Sequence, residues 1–198
     1  MTSLGVVRAS GGRPLLVLVG GGARSGKSRF ALARAQALGQ HGVFIATAEA
    51  SDDEMRTRIA RHREERGARL RTIAAPLDLA AALEDVVPGD PRADVILVDC
   101  LTLWLSNLLV QGATADEALQ RVDELRAVIA RRRIPLVIVT NEVGMGLVPD
   151  TPLGRVFRDV AGLAHQRLAR DADEIHVGVL GLMLRLRPGP VSVHEPGP

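Results

Sequence analysis

The sequence predicts an α/β fold: a mostly parallel sheet with helices on both faces and antiparallel strands near the C-terminus. Three observations point there. Residues 15–19, 42–46, 95–99 and 135–140 are short aliphatic runs, the pattern of strands buried on both faces. Longer stretches of helical spacing separate them, so helices serve as the crossovers between parallel strands. The first run passes directly into Gly21, Gly22, Ala23, Arg24, Ser25, Gly26, Lys27 and Ser28, which match the phosphate-binding pattern G-x-x-x-x-G-K-S/T at every fixed position.

Taken in order, residues 1–13 are small and polar with a Gly-Gly pair and read as a disordered extension. Residues 15–19 form the first strand. In the turn that follows, glycines let successive N–H groups point inward at phosphate oxygens. The helix opening at Ser28 adds its positive end. Lys27 would reach the β- and γ-phosphates, and the Ser28 hydroxyl would ligate Mg²⁺. The plain alternative is a Gly-rich turn between a strand and a helix. Against it, Lys27 is the only lysine among 25 Lys+Arg residues. A lysine kept where arginine serves everywhere else marks a place that a compact ammonium fills and a planar guanidinium does not.

The first helix runs to about Leu38, with Gly39 as its C-terminal glycine. Residues 42–46 form the second strand. Ser51, Asp52, Asp53 and Glu54 then cap and open a helix whose Met55, Ile59, His62 and Arg66 share one stripe, and Gly67 closes it. Residues 69–73 are a short strand, 77–87 a helix after Pro76, and 88–91 a loop. Residues 95–99 are a fully buried strand ending in Asp99. Residues 101–109 and 116–133 are helices, the second closing on Arg131, Arg132 and Arg133, where cations suit the helix dipole. The strand 135–140 leads into a loop at 141–149, and 154–170 is a helix. Residues 174–179 and 182–186 pair as a hairpin around Gly181, and the Pro- and Gly-rich residues 188–198 are a loose tail. No linker or repeat divides the chain, which leaves residues 14–187 as a single catalytic domain.

Composition narrows the function. At 198 residues and 46% hydrophobic content the chain can bury a sizeable core. Aromatics are only 2%, so the core is aliphatic and there is no stock of rings for stacking single-stranded nucleic acid. A net charge of +2 argues against a basic nucleic-acid field. The one cysteine, Cys100, allows no disulfide within the chain and fits a reducing cytoplasm. No apolar run is long enough to span a bilayer, and the first one leads into the phosphate loop rather than a cleavage site.

Two further residues carry chemistry. Asp99, at the end of an aliphatic strand downstream of a phosphate loop, has the setting of a carboxylate that holds Mg²⁺ beside Ser28. His62 shares a helix face with Arg58 and Arg66 and is flanked by Arg61 and Arg63. Neighbouring cations disfavour the imidazolium, so its ring stays neutral and nucleophilic, able to attack an α-phosphorus and form a phosphoramidate. On the residues alone, a surface histidine on an Arg-rich helix is the better reading.

Longer segments decide further. The phosphate loop, Ile45-Ala46-Thr47, Asp52-Asp53-Glu54-Met55 with Arg58, Ile59 and His62, Thr140-Asn141-Glu142-Val143-Gly144-Met145-Gly146 with Val148-Pro149, and Phe157-Arg158-Asp159 with Gln166-Arg167-Leu168-Ala169 occur in this order. Together they resemble the bifunctional adenosylcobinamide kinase / adenosylcobinamide-phosphate guanylyltransferases, from about Leu15 to Leu186. The phosphate loop is generic; the run from Thr140 to Gly146 is highly specific. The resemblance implies a RecA-like P-loop fold and a trimer. It implies phosphorylation of the aminopropanol hydroxyl of adenosylcobinamide, then transfer of GMP from GTP to adenosylcobinamide phosphate. His62 falls on the family's guanylylated histidine, and Mg²⁺, GTP and ATP are the implied cofactor and nucleotides. Nucleotide contacts carry over to Gly21, Gly22, Ala23, Arg24, Ser25, Gly26, Lys27 and Ser28, to Ala46, Thr47 and Ala48, to Arg63, Glu64, Glu65 and Arg66, and to Asp99. Some members carry Glu at Asp99, and a usually acidic position falls on Ala74. γ-Transfer and α-transfer need different nucleotide poses, so the helix at 52–66 is expected to move between them. Two alternatives remain at this stage: a P-loop small-molecule kinase with one activity, and a RecA-like ATPase stimulated by nucleic acid.

Overall fold

The computed structural model describes residues 12–48, 69–86 and 93–194. Among them a single sheet of eight strands forms the centre. In chain order the elements are β1 (Leu16–Gly21), α1 (Lys27–Leu38), β2 (Gly42–Ala46), β3 (Leu70–Ala74), α2 (Leu79–Val86), β4 (Val95–Asp99), α3 (Leu101–Val110), α4 (Ala115–Ala130), β5 (Leu136–Val139), α5 (Pro152–Asp171), β6 (Glu174–Val179), β7 (Leu182–Arg187) and β8 (Ser192–His194). The strand order is β3-β2-β4-β5-β1-β6-β7-β8. All pairings from β3 to β6 are parallel, and β7 and β8 add antiparallel strands at one edge.

The aliphatic runs form strands because both sheet faces are covered. In β1, Leu16 and Leu18 enter one core and Val17 and Val19 the other. The first core also takes Val43, Ile45, Ile96, Val98, Leu136 and Ile138 from the sheet, packed under α2, α3, α4 and α5. The second lies under α1, whose Lys27, Ala31, Ala35 and Leu38 form its buried stripe. Small alanines let that helix sit close on β4 and β5. Trp104 is buried in the first core and its indole Nε1 donates to Leu77 O at 2.7 Å. The cap of α4 is a reciprocal box: Thr114 accepts from Glu117 N, while the Glu117 carboxylate accepts from Thr114 N.

Several details differ from the sequence expectation. Gly39 does end α1, but with φ −158° it is extended rather than left-handed. Its bare Cα makes room for Asp94, whose carboxylate accepts from the N–H groups of Gln40 and His41. The helix expected to reach residue 133 stops at Ala130. Beyond it Arg132 is buried, ion-paired to Asp173 at 2.9 Å, and donates to Ile129 O. Burial lowers its pKa, opposed by the charge of Asp173. The tail expected to be loose carries β8, which pairs with β7 from Met183 to Arg185. Arg13, expected in a disordered extension, is ion-paired to Asp173 at 3.0 Å. The helix expected after Ser51 lies outside the described residues. Among the described residues no helix is long and apolar enough to cross a membrane.

Candidate active site

The carboxyl ends of β2, β4, β5 and β1 lie side by side at one end of the sheet, the end at which parallel α/β sheets bind ligands in a crevice. The phosphate loop rises from β1. Gly21 has φ 148°, a value that L side chains rarely take, and a Cβ there would sit 2.6 Å from Ser25 Oγ and 3.0 Å from Gly178 O. Gly26 has φ 85° and caps α1 in the left-handed region. Arg24 also has positive φ, 56°. Gly22, Ala23 and Arg24 are exposed, while Lys27 is 9% exposed and its Nζ donates to Gly22 O at 3.1 Å. The lysine is thus folded back over its own loop. Ser28 follows in the first turn of α1.

Asp99 closes β4, in register with Ala46 of β2 and Val139 of β5. The next residue, Cys100, reports what surrounds it. Burial pushes its thiol up and Asp99 adds to the rise; Thr102, Leu103 and Lys27 pull the other way. Asp99 and Lys27 therefore act on the same thiol in opposite senses. A hydroxyl at Ser28 and a carboxylate at Asp99 are hard oxygen donors of the kind Mg²⁺ takes, alongside phosphate and water. Thr47, fully buried, locks the end of β2 to β4: its Oγ1 donates to Cys100 O at 2.7 Å and accepts from Cys100 N at 2.8 Å. Asn107 Nδ2 on α3 donates to Thr47 O at 2.8 Å and Pro76 O at 3.0 Å.

The third wall is the end of β5. Asn141 Nδ2 donates to Thr102 Oγ1 at 2.8 Å. Glu142 N donates to Gly21 O at 3.1 Å, which fastens this loop to the phosphate loop. Glu142 Oε1 accepts from Gly144 N at 2.8 Å, and Oε2 lies 3.8 Å from His165 Nδ1. His165 Nε2 is 2.6 Å from Thr140 Oγ1. Burial lowers the His165 pKa, and the Glu142 charge opposes that. Arg158 donates to Gly144 O at 2.8 Å. Beyond Gly144 the loop presents Met145, Leu147 and Val148 to solvent.

The profile of the cobinamide kinase / cobinamide phosphate guanyltransferase family matches residues 17–186. The chain belongs to this family. Among curated relatives, the bifunctional adenosylcobalamin biosynthesis protein CobP of Pseudomonas aeruginosa is 42% identical over 178 residues, covering 88% of this chain and 98% of that protein. The bifunctional adenosylcobalamin biosynthesis protein CobU of Salmonella typhimurium is 41% identical, covering 87% of this chain and all of its own length. The CobU of Escherichia coli is 38% identical with the same coverage. Solved structures share the fold at lower identity. The RadB recombinase superposes with a TM-score of 0.50 at 17% identity, covering 90% of this chain and 86% of that one. A solved ATPase domain does so with a TM-score of 0.51 at 13% identity, covering 90% and 79%. The fold is therefore that of RecA-like P-loop NTPases, and as a member of the kinase / guanyltransferase family the chain is a nucleotide-using enzyme.

Within this enzyme the structure brings together three of the expected groups: residues 21–28, then Ala46, Thr47 and Ala48, then Asp99, all at the crevice end of the sheet. Ala74, the last residue of β3, is exposed. His62, Arg63, Glu64, Glu65 and Arg66 lie outside the described residues. Sequence reading passed over Asn107 and Thr102 and set His165 aside as a helix residue. A signal for His165 existed. Val160, Ala161, Ala164 and Leu168 are the buried stripe of α5, and His165 stands one turn beyond Ala161, a polar group on the inner face. For Asn107 and Thr102 no local pattern distinguishes them from other polar residues of α3.

Proposed function

We propose that this chain phosphorylates the aminopropanol hydroxyl of adenosylcobinamide and then joins GMP from GTP to the resulting phosphate, giving adenosylcobinamide-GDP. The carrying observation is the phosphate loop of residues 21–28 at the carboxyl end of β1, with Asp99 at the same end of β4, in a chain that matches the family from residue 17 to 186. In the kinase half, the loop N–H groups and Lys27 hold the β- and γ-phosphates while the γ-group moves. Ser28 and Asp99 would hold Mg²⁺, which supplies charge neutralisation on the phosphates when bound. In the guanylyl half, His62 attacks the α-phosphorus, pyrophosphate leaves, and the corrinoid phosphate then takes GMP from the histidine. Arg63, Glu64, Glu65 and Arg66 would contact that nucleotide. Residues 14–187 act as one catalytic domain, in a cytoplasmic protein that assembles as a trimer.

The test is covalent labelling with GTP radiolabelled at the α-phosphate, with Mg²⁺ present. The expected result is acid-labile, base-stable label on the wild-type chain, none from γ-labelled GTP, and none on His62→Ala. Failure of the wild type to take label while GTP binds would remove the guanylyl half and leave a simple kinase.

A further inference from the structure

The stretch from Thr140 to Gly146 carries a highly specific part of the family resemblance, and the proposed reaction leaves it without a role. Its placement suggests one. β5 stands between β1, which carries the phosphate loop, and β4, which carries Asp99. Asp99 ends β4 and Glu142 lies three residues past the end of β5, so these adjacent strands bring two carboxylates to the same end of the sheet. Asp99 is committed to the metal in the proposed reaction; Glu142 is not. Its backbone N–H is bonded to Gly21 O, so its Cα is fixed beside the first glycine of the loop that grips the phosphates. One carboxylate oxygen, Oε1, is oriented by Gly144 N–H. The other, Oε2, has His165 at 3.8 Å, beyond hydrogen-bond length, and the side chain is 36% exposed. The nearby guanidinium of Arg158 donates to Gly144 O. The carboxylate is thus oriented on one side and open on the other.

We infer that Glu142 is the general base of the kinase half: it accepts the proton of the acceptor hydroxyl as that oxygen attacks the γ-phosphorus. This rests on the functional reading above. In the step, a new bond forms between the acceptor oxygen and the γ-phosphorus. The bond from the γ-phosphorus to the bridging oxygen breaks, and the nucleoside diphosphate leaves with that electron pair. The proton passes to Glu142 Oε2 and then to water. The guanylyl half needs no such base at Glu142, because a phosphate dianion is already a competent nucleophile.

The experiment compares Glu142→Gln and Glu142→Asp with wild type on two acceptors. Adenosylcobinamide reads the kinase; adenosylcobinamide phosphate with GTP reads GMP transfer. Glutamine keeps the oxygen that accepts from Gly144 N–H and removes only the basic site. For Glu142→Gln the expected kinase kcat falls about 100-fold or more with little change in the nucleotide KM, within the usual share of a general base. GMP transfer and the α-label on the enzyme stay near wild type, and Glu142→Asp recovers part of the kinase rate. A Glu142→Gln enzyme whose kinase kcat stays within a few-fold of wild type would overturn the inference. So would equal loss of both activities. A wild-type chain that phosphorylates no corrinoid would instead sink the functional reading.

Discussion

Asn107 joins two strand ends with one amide. Its Nδ2 serves Thr47 O, just ahead of residues 49–68, and Pro76 O, just past β3. Both carbonyls lose their donor when the side chain is cut back, and an unsatisfied buried group costs about 1–3 kcal/mol. Asn107→Ala is therefore expected to lower the unfolding free energy by about that amount, and the urea midpoint with it. Trp104 is the only tryptophan, buried on the same helix and bonded to Leu77 O beside Pro76, so its emission follows the transition. An unchanged midpoint would mean that water replaces the amide. Little at this scale was legible beforehand. The phosphate loop is a local pattern, and the sequence showed every residue of it. The Thr140–His165 and Asn107–Thr47 bonds join residues far apart in the chain, so no window of sequence contains both partners.

At the scale of elements, strands were more legible than their ends. A run buried on both faces has to be aliphatic, so β1, β2, β4 and β5 stood out. β8 did not, because Pro188, Gly189 and Pro190 precede it with turn residues and an edge strand needs only one partner. The junction of β1 with α1 carries the sharpest packing constraint. Gly21→Ala would place a Cβ against Ser25 Oγ and Gly178 O at a positive φ. Strain of this kind costs about 1–3 kcal/mol. The loop must shift to relieve it, so the Kd for GTP is expected to rise about tenfold or more, equivalent to about 1.4 kcal/mol, by titration calorimetry. Binding at wild-type strength would show that the loop tolerates the shift.

At the scale of the whole molecule, acid stability draws on the Arg34–Glu174–His176 cluster, which joins α1 to β6. Arg34 Nε donates to Glu174 Oε2 at 2.9 Å, and His176 Nε2 lies 3.3 Å from the same oxygen. Burial pushes the Glu174 carboxyl up, but the hydrogen bonds from His176 and Arg34 and the charge of Arg34 outweigh it and bring the pKa to about 2. Since the folded value lies below the unfolded one, near ~4.3, the unfolded chain binds more protons in acid. The stabilisation is complete above about pH 5 and is lost as the pH falls through about 4 toward 2. Glu174→Gln is thus expected to melt lower than wild type at neutral pH and to show a shallower loss between about pH 5 and 3, by calorimetry. Parallel acid limbs for the two proteins would refute the assignment.

Lys27 has one more consequence, and it belongs to bioconjugation. Because the chain holds a single lysine, it offers acylating reagents one ε-amine, and that amine lies folded over the phosphate loop. On most proteins such reagents give a mixture of adducts across the surface. Here, apart from the α-amino group, they have one address, so each adduct counted by mass spectrometry is a report on whether the phosphate site is open.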